Sequence, residues 1–380
     1  MSLVLTEDQA QLARTANDYI ADSQPINRLR KLRDAGDERG YAKEAFAKFV
    51  ELGWTSIPFS EEDGGLGLGL ADLVLVTEAA GRGLAPEPLI PSIVLGGRSL
   101  ALAGTAAQKE AFLAPAIAGE KILALAYTRK LGRYDLTKVP FKATKSGSAW
   151  QLTGQASQVW GGHLADAYVV AARTSGNDGD KEGITLFVLP ASTRGIQSER
   201  QVRVDSLNAS LLTLEGVEAK DADVLGKVGE GHALLSRVVD EATVALAGEM
   251  LGGMVESFER TNAYLRERRQ FNVVIGSFQA LKHRAARLYI ELELSRSAVM
   301  AAARAIDAGD ADAAQLVSVA KAKLSDAYIL VTNEAVQMFG GIGMTDEHDI
   351  GFFMKRARAA DATFGDAAYH RDRFASLSGF

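Results

Sequence analysis

Two stretches of sequence decide the fold: Arg268-Arg269-Gln270-Phe271 and Gln337-Met338-Phe339-Gly340-Gly341. Each lies at the end of a long segment with helical periodicity. The Arg-x-Gln-Phe stretch closes one amphipathic helix just before another begins, and the Gln-x-Phe-Gly-Gly stretch ends a third. Helix ends that present a guanidinium, an amide and glycine backbone can bind a pyrophosphate and an adenine ring. The two stretches therefore indicate a nucleotide-type ligand held by a helical framework.

The composition narrows the class of protein. The chain has 380 residues, 47% hydrophobic and 24% charged, which is typical of a globular protein of two or three domains. A net charge of -6 gives no basic footprint for nucleic acid. The absence of cysteine excludes disulfides and thiolate chemistry, and the five histidines are too scattered to indicate a metal site. The first residues do not form a signal peptide, and no apolar run approaches the length of a membrane span, so we expect a cytoplasmic protein.

The pattern of hydrophobic residues divides the chain into three segments. Helical periodicity, with Thr6 as the first N-cap, fills residues 1–120. Short apolar runs separated by Gly, Asn, Asp and Ser fill residues 121–228 and indicate a small antiparallel barrel or sandwich. Long alanine-rich helices are expected in residues 229–380, over 233–267, 277–308, 311–339, 347–360 and 366–377. The fold class is mainly α with a central β domain and a C-terminal four-helix bundle.

This order of segments, with four short motifs, resembles the acyl-CoA dehydrogenase family over essentially the whole chain. The family's Arg-x-Gln-Phe-Gly run and the following Phe-Gln correspond to residues 268–272 and 278–279, and its Gln-x-x-Gly-Gly-x-Gly to residues 337–343. A Thr followed by Ser-Asp corresponds to Thr128 and Tyr134-Asp135. The stretch at residues 364–370 is similar to a bacterial subgroup that includes the pimeloyl-CoA dehydrogenase small subunit.

The resemblance implies an FAD bound between the β domain and the C-terminal bundle. It also implies that subunits share the site, as a homotetramer or an α2β2 heterotetramer. The implied cofactor contacts are Tyr127, Thr128, Trp160, Arg268, Phe271, Phe278, Gln279, Gln337, Gly340 and Gly341. Apart from the base, three positions depart from the family pattern. Gln158 stands where many members have a flavin-packing Trp, with Trp160 two positions later. Asn272 replaces a Gly, and Arg129 replaces a Glu.

The implied reaction is the α,β-dehydrogenation of an acyl-CoA thioester. A carboxylate takes the α proton, the β hydrogen leaves as hydride to the flavin N5, and the electrons pass to an electron-transfer flavoprotein. Counting back from Arg373 makes Asp366 the aligned base, although the family usually has the longer Glu. Other members place the base on the first long helix, where this chain aligns Ala242 with Glu241 beside it. Asp366 also suits a helix N-cap, and Glu241 a paired or solvated helix residue.

Two other functions fit the same sequence. The chain could be a half-site subunit of a heterotetramer that completes a flavin site without supplying a base, or a flavin oxidase of the same fold. The sequence leaves the acyl group open among linear, branched, dicarboxyl and steroid chains. Arg129 and Arg133 would suit a dicarboxyl substrate.

Overall fold

The computed structural model describes residues 4–380 and confirms a largely helical chain with a central β-sheet. It divides into two compact units. The helical unit comprises Met1–Ala35, Gly69–Ala85 and Thr243–Phe380, and the sheet unit comprises Gly36–Leu68 and Pro86–Ala242. Within residues 4–380, no helix combines the length and the apolar character needed to cross a membrane. The three domains expected from the sequence, with boundaries after residues 120 and 228, stay a prediction.

In the part of the chain that the structure describes, seven α-helices precede the sheet, and the first of them has the expected N-cap, Thr6. The side chain of Thr6 accepts a hydrogen bond from Gln9 N, and the Gln9 side chain accepts from Thr6 N, which makes a capping box. The helices are α1 (Glu7–Ser23), α2 (Asn27–Asp34), α3 (Lys43–Glu51), α4 (Leu70–Arg82), α5 (Arg98–Ala103), α6 (Ala106–Gln108) and α7 (Ala114–Ile117). The buried stretch Leu89–Gly97 is π-helical. Sequence analysis missed it because a search for the α-helical period does not detect a wider turn.

The central sheet has eight strands in the order β6-β7-β3-β2-β4-β5-β8, with β1 beside β4. The strands are β1 (Leu123–Ala126), β2 (Phe141–Ser146), β3 (Ala149–Trp160), β4 (Ala167–Arg173), β5 (Ile184–Pro190), β6 (Ile196–Val202), β7 (Asn208–Lys220) and β8 (Val224–Leu225). The expectation of purely antiparallel pairing is wrong at β4, which pairs in parallel with both β1 and β2. The connection from β1 to β4 is long enough for such a crossover because it contains the β2–β3 hairpin.

The C-terminal segment follows the predicted helices to within a few residues. Its elements are α8 (Gly231–Glu267), the hairpin β9 (Arg269–Gln270) and β10 (Val273–Val274), α9 (Gln279–Ala308), α10 (Ala313–Phe339), α11 (Ile350–Asp361) and α12 (Ala367–Leu377). Glycine allows α8 to approach α4 closely, because a Cβ on Gly252 would overlap the carbonyl of Glu78. The Arg-x-Gln-Phe stretch follows the end of α8 and belongs to the same helical unit.

Candidate flavin site

The Arg-x-Gln-Phe stretch forms a tight hairpin that presents an exposed aromatic ring. Gln270 pairs with Val273 across the hairpin, so Phe271 and Asn272 form its two-residue turn. Both turn residues have positive φ, 52° and 66°, as in a type I′ turn. Asn is one of the few non-glycine residues that adopt this conformation readily, which explains why it can stand where the family has Gly. The Phe271 side chain is 85% exposed at the tip.

Tyr264 brings this hairpin and the end of α10 together. Its carbonyl accepts the backbone N–H of Arg268 at 2.8 Å, one helical turn before the hairpin. Its ring lies 4.5 Å from the ring of Phe339, centroid to centroid, and its hydroxyl donates to the Phe339 carbonyl at 3.4 Å. Phe339 is followed directly by the Gly340-Gly341 turn. The two motifs that are far apart in sequence are therefore neighbours in the helical unit.

The residues of the helical unit that were assigned to FAD offer the chemistry that a dinucleotide needs. All of them are exposed: Arg268, Phe271, Phe278, Gln279, Gln337, Gly340 and Gly341. A guanidinium pairs with pyrophosphate oxygens, aromatic rings stack on a base, and the amides donate or accept hydrogen bonds. A Cβ built on Gly340 or Gly341 meets no atom within 4 Å, so this backbone is open to a ligand. The residues present fit FAD.

The sheet unit brings Tyr127 and Thr128 beside the end of β3. The Thr128 carbonyl accepts the N–H of Ser157 at 2.9 Å. A register shift between Ala156 and Val159 marks a bulge, and Gln158 within it has a φ of 55°. Gln158 is exposed and Trp160 half-buried, while Val159 between them is buried, so Gln158 and Trp160 share one face. Sequence reasoning placed a flavin ring against this face.

Glu241 lies in a buried ion-pair cluster of the sheet unit. Its side chain is 4% exposed. The Arg98 guanidinium donates to its two oxygens at 2.7 and 3.1 Å, and Arg237 donates to one of them at 3.1 Å. Arg98 also donates to the carbonyl of Pro58. Both carboxylate oxygens of Glu241 are therefore bound by cations. Ala242, the aligned position, is buried and carries no carboxylate.

Asp366 is the N-cap of α12, as one of the two sequence interpretations expected. Its Oδ1 accepts the backbone N–H of Tyr369 at 2.8 Å, and the residue is half-buried. The preceding Gly365 has a φ of 118°, and a Cβ there would meet the side chains of Tyr369 and His370. Position 365 has no room for a side chain, so the carboxylate at the start of α12 is that of Asp366.

Two buried titratable residues lie next to this turn, and sequence reasoning missed one of them, Lys321. Lys321 of α10 is fully buried, and burial lowers its pKa to about 7. His370 is also buried, and burial, with the nearby Lys321 and Arg373 cations, lowers its pKa to about 3. A signal for Lys321 was present, since it lies four residues after Val317 and three before Leu324 on the apolar side of a helix.

Comparisons with known proteins match both ends of the chain. The family described as "Acyl-CoA dehydrogenase, N-terminal domain" matches residues 6–120, and "Acyl-CoA dehydrogenase, C-terminal domain" matches residues 229–377. A curated 3-(aryl)acrylate reductase of Clostridium sporogenes is 27% identical over 354 residues, which are 92% of each chain. The structure of butyryl-CoA dehydrogenase from Megasphaera elsdenii has a TM-score of 0.91 at 25% identity. The ChsE4–ChsE5 complex of Mycobacterium tuberculosis has a TM-score of 0.90 at 25% identity. Both structural matches cover the whole of each chain.

These matches agree with the geometry of the helical unit. The C-terminal family model spans the hairpin, the end of α10 and the Asp366 turn, which carry three of the four sequence motifs. The fold, the motifs and the family models therefore identify the chain as a member of the acyl-CoA dehydrogenase family, a family of FAD-dependent oxidoreductases.

Proposed function

We propose that the protein catalyses the α,β-dehydrogenation of an acyl-CoA thioester, with Asp366 as the base and an electron-transfer flavoprotein as the electron acceptor. The observation that carries the proposal is the contact between Tyr264 and Phe339, because it joins the two cofactor motifs in one unit. The hairpin that follows Tyr264 carries the exposed ring of Phe271, and the turn that follows Phe339 carries the open backbone of Gly340.

The proposed role of each residue follows from its position. Bound FAD would supply the hydride acceptor. Arg268 and the glycine turn would hold its pyrophosphate, and Phe271 and Phe278 would contact its aromatic parts. Asp366 is held by its bond to Tyr369 N through one oxygen, which leaves the second oxygen of the carboxylate to take the α proton. A carboxylate held in this way suits a reaction whose rate depends strictly on the geometry of the reacting groups.

The decisive experiment measures bleaching of the flavin absorbance. Purified protein is mixed anaerobically with acyl-CoA esters of linear, branched, dicarboxyl and steroid type. We expect bleaching with one class and loss of bleaching in Asp366→Asn, while Asp372→Asn on the same helix behaves as wild type. Bleaching at the normal rate in Asp366→Asn would remove Asp366 as the base. Release of hydrogen peroxide under air, without transfer to an electron-transfer flavoprotein, would identify an oxidase.

The second candidate is a half-site subunit of a heterotetramer. The observation that favours it is that the first long helix offers no unpaired carboxylate at the alternative base position. Glu241 is bound by Arg98 and Arg237, and Ala242 has no carboxylate. The match to a complex of two different chains, ChsE4 and ChsE5, supports the same arrangement. Protein that is inert alone but becomes active with a coexpressed partner subunit, and stays active with Asp366→Asn, would select this candidate.

Assembly into an oligomer is part of both proposals. On α9, Tyr289, Ile290 and Leu294 are each more than half exposed, which is unusual for a row of large apolar residues in one short stretch. We propose that another subunit covers this face. The substitution Leu294→Glu would test it, because light scattering should then report a smaller particle, and an unchanged mass would contradict the proposed interface.

A further inference from the structure

A fully buried lysine lies beneath the turn that carries Asp366. The Nζ atom of Lys321 donates to Ser325 Oγ at 3.2 Å, to the Asp361 carbonyl at 3.0 Å and to the Gly365 carbonyl at 2.6 Å. An ammonium group has three protons, so these bonds use its full donor capacity. A buried cation is costly unless its donors are satisfied. The surroundings of Lys321 therefore supply one acceptor for each proton of a buried ammonium group.

The two carbonyls that Lys321 binds lie on either side of an irregular turn. The turn runs from the end of α11 at Asp361 to the start of α12 after Asp366. Phe364 has a φ of 62°, which is unfavourable for a bulky residue, and Gly365 has a φ of 118°. Strain of this kind persists only where surrounding contacts impose it, and it is concentrated at functional sites. Lys321 supplies two of the contacts that impose this conformation.

The charged groups that face Lys321 are arranged around the same turn. Asp361 and Asp366 attract the ammonium and oppose the effect of burial on the pKa of Lys321. The buried His370 ring contacts the Phe364 carbonyl through Nε2 at 3.1 Å, and its low pKa keeps it neutral. Arg373 donates to Ser318 Oγ at 3.1 Å, one helical turn before Lys321. Lys321 therefore links α10 directly to both sides of the turn through its hydrogen bonds to the Asp361 and Gly365 carbonyls.

We propose that Lys321 is a positioning residue that holds the Asp361–Asp366 turn, and through it the carboxylate of Asp366, in the orientation needed for proton abstraction. The catalytic part of this inference rests on the proposed role of Asp366. Lys321 acts in this proposal through its hydrogen bonds to the turn and not through contact with the substrate. Removal of the ammonium leaves the Asp361 and Gly365 carbonyls without their donor, and the turn relaxes. A shift of about 1 Å in a reacting group can reduce a rate about 100-fold.

The test compares Lys321→Met with Lys323→Met. Methionine has nearly the length of lysine without the ammonium, and Lys323 is a matched control because it lies on the same helix and pairs with Glu291 on α9. For Lys321→Met we expect kcat to fall at least tenfold, with KM and the Kd for FAD changed less than twofold. Hydrogen exchange should increase at the amides of residues 361–370 and stay unchanged elsewhere. Lys323→Met should match the wild type in all four measurements.

The outcomes separate this inference from the proposed function. Wild-type kcat and wild-type exchange in Lys321→Met would overturn the inference. Faster exchange in Lys321→Met, combined with normal bleaching in Asp366→Asn, would keep Lys321 as the anchor of the turn but reject Asp366 as the base. If Lys321→Met does not fold, Ser325→Ala removes one acceptor of the same ammonium. A smaller fall in kcat with a local rise in exchange then supports the inference, and no change in either overturns it.

Discussion

The rings of Tyr264 and Phe339 lie against each other with their centroids 4.5 Å apart and their planes inclined by 32°. Tyr264 is on α8, four residues before Arg268, and Phe339 is the last residue of α10. The contact therefore fixes the distance between the Arg-x-Gln-Phe hairpin and the glycine turn. Because we propose that both elements engage the same cofactor, their relative position should control its affinity.

Replacing Tyr264 tests this relationship. In Tyr264→Ala we expect the Kd for FAD to rise about tenfold, since aromatic pairs contribute about 0.5–1.5 kcal/mol beyond their buried area. Tyr264→Phe keeps the ring and loses only a long hydrogen bond, so its Kd should stay near the wild-type value. Titration of the apoprotein with FAD, followed by flavin fluorescence, gives both constants. Equal constants for Tyr264→Ala and wild type would show that the stack does not position the motifs.

The tip of the hairpin gives a second prediction, at Asn272. Its φ of 66° suits Gly or Asn but not a β-branched residue. Asn272→Gly should therefore bind FAD as well as wild type. Asn272→Val should strain the turn, displace Phe271 and weaken FAD binding several-fold, with little change in the melting temperature because the tip is exposed. Comparable affinities for the two variants would exclude a role for the turn conformation.

Two glycines near the site should differ sharply in their tolerance of alanine. Gly365→Ala places a Cβ against Tyr369 and His370 at a φ of 118°, so we expect a loss of about 2 kcal/mol or more in the free energy of unfolding. Gly341→Ala meets open space and should change that free energy by less than about 0.5 kcal/mol. Urea denaturation measures both. A stable Gly365→Ala protein would mean that the turn can open to admit a side chain.

The long helices could be predicted from the sequence because their periodicity extends over many turns. α8, α9 and α10 have 37, 30 and 27 residues, so an error of two residues at an end leaves the element unmistakable. The π-helical stretch Leu89–Gly97 could not be found in this way. The parallel pairing of β4 with β1 was also hidden, because pairing between distant strands leaves no local sequence pattern.

Site residues were predictable only where a motif marked them. Asp366 could be recognised both as an aligned carboxylate and as an N-cap, because both depend on nearby sequence. The ion pair between Glu241 and Arg98 joins positions 143 residues apart, so no spacing rule reveals it. The contact of Lys321 with Gly365, 44 residues away, is equally hidden, although a lysine within an apolar stripe marks the position as unusual.

Acid should destabilise the protein in part through His370. Its pKa is about 3 in the folded chain and near 6.5 when unfolded, so between these values the unfolded state binds more protons. The stability that the neutral ring contributes is complete above pH 6.5 and is lost as the pH falls towards 3. His370→Gln, which cannot titrate, should lose stability less steeply over this range. Thermal unfolding at stepped pH values tests this, and parallel curves for the two proteins would contradict it.

Substitutions at the two candidate carboxylates should affect different quantities, the free energy of unfolding in one case and the rate of flavin bleaching in the other. Glu241→Gln leaves Arg98 and Arg237 facing a neutral amide in a buried site, so we expect a loss of about 3 kcal/mol in the free energy of unfolding. The bleaching rate of the FAD-loaded protein should not change. Asp366→Asn should do the reverse, because Asn caps a helix about as well as Asp but cannot accept the α proton as a carboxylate does.

Urea unfolding and stopped-flow bleaching on the same two variants give four values that decide between the carboxylates. A stable Glu241→Gln protein with lost bleaching would transfer the role of base to Glu241, and would require Arg98 to release it when substrate binds. Loss of bleaching in both variants, with normal stability in both, would mean that each carboxylate contributes to the reaction. Only the crossed result, with stability lost in one variant and bleaching in the other, assigns Glu241 to the ion-pair cluster and Asp366 to the reacting carbon.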